Sequence, residues 1–101
     1  MADPALPTTF DFVYADETYR IEVLDAEQLR WTRTVGADPG TTDIERYVAS
    51  RLDDGRWLIT WVEAPGLGLS SVLDLDADTL VTHANQGRDV FENPGTLRVI
   101  A

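Results

Sequence analysis

The chain has 101 residues, with 18 acidic side chains against eight basic ones and a formal net charge of −10 at pH 7. A chain of this length folds as one domain around a single core, so we expect one domain over residues 1–101 with a flexible lead at residues 1–7. Nucleic acids and anionic membranes are themselves negatively charged, so we expect so acidic a protein to bind neither of them.

The residue types that are missing narrow the chemistry further. The sequence has no cysteine, which excludes disulfides, thiolate metal sites and a cysteine nucleophile. It also has no lysine, because all eight basic residues are arginine, and Schiff-base catalysis is thereby excluded. The sequence shows neither a signal peptide nor about 18 consecutive apolar residues, so a cytoplasmic location is expected. The abundance of Asp, Ala and Arg suggests a bacterial source.

Short segments that alternate apolar and polar residues follow one another along the chain, and a period of two is typical of β-strands with one buried face. The predicted strands cover residues 9–15, 18–24, 28–35, 43–52, 56–63, 67–75, 79–85 and 96–100, with a short extended piece and an Asn93-Pro94-Gly95 turn before the last strand. About eight short antiparallel strands predict an all-β, up-and-down barrel, because closing the sheet removes its exposed edges. A two-sheet sandwich is the alternative that the pattern leaves open.

Three charged residues lie on the apolar faces of predicted strands. Arg33 and Arg46 each lie between two apolar residues at i±2, and Glu63 continues the face of the two tryptophans in WLITWVE. A buried charge without a partner is strongly unfavourable, so these side chains should find one another, reach solvent at strand ends, or contact a ligand. In the last case they form the polar floor of an apolar pocket, which is how small-molecule sites are usually built.

His83 is the only histidine in the chain and shares a strand face with Val81 and Asn85. It is a candidate general base, and the alternative is an ordinary rim or surface residue. A metal site would need several carboxylates to converge on this one histidine, and no spacing in the sequence shows such a set. We therefore expect neither a metal nor a cofactor.

Residues 56–98 carry a run of recognisable motifs: a W-x-E strand end, the strand S-x-V-L-D-L-D, then T-H-A-N-Q-G and F-E-N-P-G-T. This stretch, and more loosely residues 8–35, resembles the MoaF-like proteins, small bacterial barrels named for molybdenum cofactor biosynthesis protein F. The resemblance implies a lipocalin-like barrel of the calycin superfamily with a central ligand cavity, often in a dimer.

A more distant calycin branch, the phenolic acid decarboxylases, has a similar small barrel. There, paired tyrosines, an arginine and a glutamate hold the substrate carboxylate and move a proton. This chain has residues of those types at Tyr14, Tyr19, Arg33 or Arg46, and Glu63, but lacks the tyrosine-rich motifs of that branch. The decarboxylase chemistry is therefore an analogy of fold.

The first functional hypothesis is a cavity that holds an aromatic or polyketide-like metabolite. Its predicted ligand-binding residues are Phe12, Tyr14, Tyr19, Trp31, Arg33, Arg46 and Trp61. With Glu63 or His83 moving a proton, the barrel would be a cofactor-free lyase, isomerase or cyclase. Desolvation against two indoles should raise the pKa of Glu63, unless an adjacent arginine cancels the shift.

The second hypothesis is a non-catalytic homodimer with a filled core, joined through the outward-facing Leu58, Val62 and Val72. It predicts that Val62→Arg dissociates the dimer. It also predicts that Trp61→Ala unfolds the barrel, at a cost of about 3–5 kcal/mol. A dimeric barrel can still hold a ligand, so the two hypotheses are compatible in part.

Overall fold

Eight antiparallel strands form a closed barrel in the computed structural model of the protein, which describes residues 6–101. The strands are β1 (Thr9–Val13), β2 (Thr18–Val23), β3 (Gln28–Val35), β4 (Thr42–Asp53), β5 (Arg56–Glu63), β6 (Leu67–Asp74), β7 (Thr79–Gln86) and β8 (Asp89–Val99). Each strand pairs with the next, and β8 returns to pair with β1. This last pairing closes the sheet, so the predicted barrel is confirmed and the sandwich is excluded.

The turns between strands follow the sequence signals. Asp54 and Gly55 connect β4 to β5, and Gly55 has a φ of 103°, which glycine adopts without a steric penalty. Of the predicted flexible lead, residues 1–5 lie outside the described residues, whereas Leu6 packs partly buried against the core. No helix among residues 6–101 is long and apolar enough to cross a membrane.

One turn prediction is wrong, because Asn93, Pro94 and Gly95 lie inside β8 and pair with β7. Pro94 is tolerated there because the pairing of β8 with β1 begins only at Thr96, which leaves the other edge of β8 open at the proline. A Cβ at Gly95 would lie 2.6 Å from the Val13 carbonyl oxygen, so only glycine lets β8 pass so close to β1.

The apolar core fills one end of the barrel, which we call the closed end. Its fully buried apolar side chains come from the starts of β1, β3 and β7, the ends of β2 and β6, and the middle of β5: Phe10, Ile21, Leu29, Ile59, Leu73 and Leu80. In an up-and-down barrel these positions share one end. The opposite, open end carries the β1–β2, β3–β4, β5–β6 and β7–β8 turns.

The face of β4 that points into the barrel is not the one that its sequence suggests. Ile44 and Val48 predict Arg46 on the inner face, but all three residues are exposed. Directly paired residues of antiparallel strands share a face, and Tyr47 lies opposite the buried Trp61. The inward prediction for Arg46 is therefore wrong, because both faces of β4 carry apolar residues and the partner strand decides between them.

A buried carboxylate lies on the outer side of the barrel wall, at the seam where the barrel closes. Asp11 is only 1% exposed. Arg20 Nε donates a hydrogen bond to Asp11 Oδ1 at 2.6 Å, and Arg98 Nε donates one to Oδ2 at 3.1 Å. Burial raises the pKa of Asp11, but the hydrogen bonds and charges of the two arginines outweigh burial and lower it below its usual value. The cluster ties β1 to both β2 and β8.

Candidate ligand cavity

A cavity of about 400 Å³ lies inside the open end of the barrel. Its apolar and aromatic lining consists of Phe12, Tyr14, Tyr19, Ile21, Trp31, Trp61, Leu67, Leu69, Ala84 and Phe91. Small-molecule sites usually have volumes of about 300–1,000 Å³, so the cavity is large enough for a ligand. A filled core, as the second hypothesis requires, is not what the structure has.

Five aromatic rings form a continuous wall around this cavity. Phe12 stacks on Trp61 with ring centroids 6.1 Å apart and an interplanar angle of 23°. The other neighbours meet edge to face, at 6.3 Å between Phe12 and Tyr14, 6.2 Å between Tyr14 and Tyr19, and 6.1 Å between Tyr19 and Trp31. Such contacts restrain each ring, so the wall is formed before any ligand enters. The structure thus brings all five aromatic residues named from the sequence to one cavity.

Three hydroxyl groups form a hydrogen-bonded chain on the inner surface of the cavity. Tyr14 Oη lies 2.5 Å from Thr82 Oγ1, which lies 2.8 Å from Ser71 Oγ. Ser71 is also within hydrogen-bond reach of Tyr14, so the three hydroxyls can satisfy one another. Burial raises the pKa of Tyr14 to about 12, so its hydroxyl stays protonated at neutral pH. The chain is therefore a neutral hydrogen-bond donor.

Glu63 places a carboxylate against the aromatic wall. Trp61 Nε1 donates a hydrogen bond to Glu63 Oε2 at 3.1 Å. Among residues 6–101 no arginine forms an ion pair with Glu63. Burial raises the pKa of Glu63, and the hydrogen bond from Trp61 offsets only part of this effect. A carboxylate in this environment takes up a proton more readily, and is therefore a stronger base, than one in water.

The rim of the cavity around Glu63 is acidic. Besides burial, the carboxylates of Glu45 and Asp43, on the inward face of β4, raise the pKa of Glu63 further, and the positive charge of Arg33 lowers it in part. Trp31 Nε1 donates a hydrogen bond to Glu45 Oε2 at 3.1 Å. On the other side of the mouth, Glu17 lines the cavity and accepts a hydrogen bond from Tyr19 Oη at 2.7 Å.

Arg33 lies beside this rim but is not among the residues that line the cavity. Its Nη1 donates a hydrogen bond to the Ala37 carbonyl oxygen at 2.8 Å, and its Nε donates one to Tyr19 Oη at 3.3 Å. The guanidinium carbon lies 5.5 Å from the centroid of the Tyr19 ring, and Nε is 3.8 Å from Glu17 Oε2. Arg33 therefore positions Tyr19 and Glu17 rather than pointing into the cavity.

His83 and Arg46, the two other polar residues named from the sequence, lie on the outside of the barrel. The His83 side chain is 71% exposed, and its Nε2 lies 3.6 Å from Glu92 Oε2, which is also exposed. Arg46 borders an outer groove together with Val48 and Val62. The structure therefore does not bring either residue to Glu63.

Sequence reasoning missed several lining residues. Glu17 lies in a turn, where strand alternation gives no signal. Ser71 and Thr82 lie on strand faces that are otherwise apolar. The signal was present, because Ser71 alternates with Leu69 and Leu73, and Thr82 alternates with Leu80 and Ala84. A polar residue at such a position faces the interior.

A closed, eight-stranded antiparallel barrel with an aromatic cavity defines a small barrel protein of calycin-like architecture. The chain belongs to the MoaF-like family, whose sequence model matches residues 7–98. The resemblance that the motifs of residues 56–98 indicate is thereby confirmed.

A solved structure has the same fold. The crystal structure of a "putative beta-lactamase" from Burkholderia vietnamiensis is similar, with a TM-score of 0.85 and 23% sequence identity over 99% of this chain and 100% of that one. At this identity the likeness shows a shared fold and nothing about activity. No curated protein matches the sequence of this chain.

Proposed function

We propose that the barrel binds a small molecule with an aromatic or extended apolar body inside its open end. The observation that carries this proposal is a carboxylate, Glu63, held without an ion-pair partner among residues 6–101 against a wall of five aromatic rings. A partly buried charge without a partner lowers the stability of a protein. Charges of this kind are typical of ligand-binding and catalytic sites.

The same site supports a proton-transfer reaction that needs no cofactor. Glu63 removes a proton from one atom of the ligand and returns it to another, and its raised pKa suits this task near neutral pH. The Tyr14 hydroxyl, which lines the cavity and stays protonated at neutral pH, donates a hydrogen bond to a ligand oxygen on which negative charge develops. An isomerase or lyase is the class of enzyme that this pair of groups favours.

The activity in the description of the Burkholderia protein is not part of this proposal. Hydrolysis of a β-lactam by serine needs a base that removes the serine proton. Ser71 Oγ is instead hydrogen-bonded to the Thr82 hydroxyl, and a hydroxyl is not a general base at neutral pH.

A cavity-filling variant tests the proposal. We expect Ala84→Phe, which adds a ring to the cavity wall, to weaken the binding of the uncharged probe 2-(1-naphthyl)ethanol by at least about tenfold, measured by isothermal titration calorimetry. The matched control is Asn85→Phe, which places the same ring one residue along β7 at an exposed position. This control should leave the affinity unchanged.

Equal affinity of the wild type and Ala84→Phe would place the probe outside the barrel and contradict the proposal. A complete lack of binding by a wider set of uncharged bicyclic aromatic compounds would contradict it as well.

The homodimer predicted through Leu58, Val62 and Val72 remains a proposal, with its surface centred on Val62 because Leu58 and Val72 are only half-exposed. Val48 and Val62 are 70% and 58% exposed and flank the outer groove between β4 and β5. Two apolar side chains so close together on an outer sheet face favour contact with a second copy of the chain. Because this face points away from the cavity, a dimer formed here leaves the mouth open.

A further inference from the structure

The charges around the cavity mouth are almost all of one sign. Glu17 and Glu63 line the cavity, and Asp43 and Glu45 lie close enough to Glu63 for their charges to raise its pKa. Glu92 also borders the cavity, but its carboxylate faces His83 on the outside. Among the described residues, no arginine lines the cavity.

Arg33, the arginine whose charge reaches Glu63, already has hydrogen-bond partners within the protein. Its Nη1 and Nε donate hydrogen bonds to the Ala37 carbonyl oxygen and to Tyr19 Oη, and its guanidinium carbon lies 5.5 Å from the Tyr19 ring centroid. A ligand carboxylate inside the cavity would therefore meet the carboxylates of Glu17 and Glu63, with Asp43 and Glu45 nearby, and no arginine among the described lining residues. Like charges at close range in a partly dry site repel strongly, so the geometry disfavours anionic ligands.

A positively charged group on the ligand is attracted at the cavity mouth where a carboxylate is repelled. It gains attraction from the carboxylates of Glu17 and Glu63, and the faces of tryptophan and tyrosine rings attract cations within about 6 Å of their centroids. The rim already shows this preference, because the Arg33 guanidinium carbon lies 5.5 Å from the Tyr19 ring centroid and Arg33 Nε lies 3.8 Å from Glu17 Oε2. The aromatic wall then accommodates an apolar body of matching size.

We propose that the ligand of this cavity is an organic cation, a protonated amine attached to an aromatic or extended apolar body, with the ammonium group between Glu17 and Glu63. This inference rests on the proposed function and specifies its ligand class. It departs from the decarboxylase analogy, in which an arginine holds a substrate carboxylate, because the structure directs both candidate arginines elsewhere.

Three probes that share a naphthalene ring separate charge from shape: 2-(1-naphthyl)ethylamine, 2-(1-naphthyl)ethanol and 1-naphthylacetate. They are cationic, neutral and anionic at neutral pH. We expect isothermal titration calorimetry to rank their affinities in that order, with at least about tenfold between the amine and the carboxylate.

Two variants that remove one negative charge each locate the effect. Glu63→Gln should weaken amine binding by about fivefold or more and leave alcohol binding unchanged, since only the amine interacts with the charge. Glu22→Gln is the matched control, because Glu22 lies on the outer face of β2 and pairs with Arg30 at 3.8 Å. It should change neither affinity. Glu17→Gln repeats the first test from the other side of the mouth.

The outcomes separate this inference from the proposed function. If all three probes bind in a manner that Ala84→Phe abolishes, but the carboxylate binds as tightly as the amine, the cation inference is overturned and the ligand cavity stands. Equal losses of amine affinity in Glu63→Gln and Glu22→Gln would also overturn it, because the attraction would then come from the overall charge of the protein. If no probe binds inside the cavity, both proposals fail together.

Discussion

Asp11 and Glu63 are two carboxylates that the same barrel removes from water in different ways. Asp11 lies under two arginines that donate hydrogen bonds to both of its oxygens, and these partners lower its pKa although burial alone would raise it. Glu63 has one neutral donor, the Trp61 indole, and its pKa is raised. The first carboxylate stabilises the seam of the barrel, and the second lowers stability at the cavity.

The difference shows how to separate structural from functional charges in a small protein. A carboxylate whose neighbours lower its pKa has its interactions completed by the fold. A carboxylate whose neighbours raise its pKa lacks a partner, and in a cavity that partner can be a ligand. Substitutions of Asp11 and Glu63 should therefore change stability in opposite directions.

The largest effect is expected from Asp11→Asn. The variant removes the negative charge that holds Arg20 and Arg98 at the seam, and charged hydrogen bonds of this kind contribute about 1.5–3 kcal/mol to stability. Chemical denaturation at neutral pH should show a loss of that size. An unchanged free energy of unfolding would mean that the cluster contributes nothing to the closure of the barrel.

The same variant gives a pH test with a defined sign. The pKa of Asp11 is lowered in the folded state from an ordinary value of 3.8, so its stabilising effect is complete above that value and is lost as the pH falls through the folded-state pKa. The difference in stability between wild type and Asp11→Asn should therefore shrink below about pH 3.8. A difference that stays constant through this range would contradict the assigned ion pairs.

A smaller effect of opposite sign is expected from Glu63→Gln. Its raised pKa means that the folded protein bears a desolvation penalty while Glu63 is ionised, and this penalty disappears once the pH falls below the unfolded-state value of 4.5. At neutral pH the glutamine variant should be more stable than the wild type, by less than about 1 kcal/mol because the rim is partly open to water. Thermal unfolding at neutral and acidic pH measures this gain, and a loss of stability at neutral pH would show that Glu63 has a stabilising partner.

The smallest effect on stability is expected from Val62→Arg, which adds a charge where the side chain is 58% exposed. The free energy of unfolding of the monomer should change by less than about 0.5 kcal/mol. The mass measured by light scattering should fall from that of a dimer to that of a monomer, while Glu22→Arg, elsewhere on the outer face, should leave it unchanged. The dimer proposal is wrong if Val62→Arg leaves the mass unchanged as well.

The sequence predicts most of this fold because most of its strands, though not β4 and β8, alternate apolar and polar residues and are separated by turn signals. It predicts the aromatic wall for the same reason, since Phe12, Tyr14, Tyr19, Trp31 and Trp61 each lie on the apolar face of a strand. Local patterns also place Glu63 at the end of such a face, next to Trp61.

What the sequence does not predict depends on pairing between strands. The two faces of β4 are both partly apolar, so the inward face follows only from its register with Trp61, and Arg46 was assigned to the wrong side. For His83 the apolar neighbour Val81 was no guide, because that face of β7 lies on the outside and Val81 is 38% exposed. The hydroxyl chain requires β1, β6 and β7 to come together around the cavity, which a single strand pattern does not show.

The central claim is that Glu63 lies in an aromatic cavity without an ion-pair partner among residues 6–101. The most direct test is an NMR titration that follows the side-chain carboxyl carbons of Glu63 and Asp11. In the free protein we expect the pKa of Glu63 to lie above 4.5 and that of Asp11 below 3.8. Saturation with 2-(1-naphthyl)ethylamine should then lower the pKa of Glu63 and leave that of Asp11 unchanged. A pKa of Glu63 at or below its ordinary value in the free protein would contradict the claim, because the carboxylate would already have its partner.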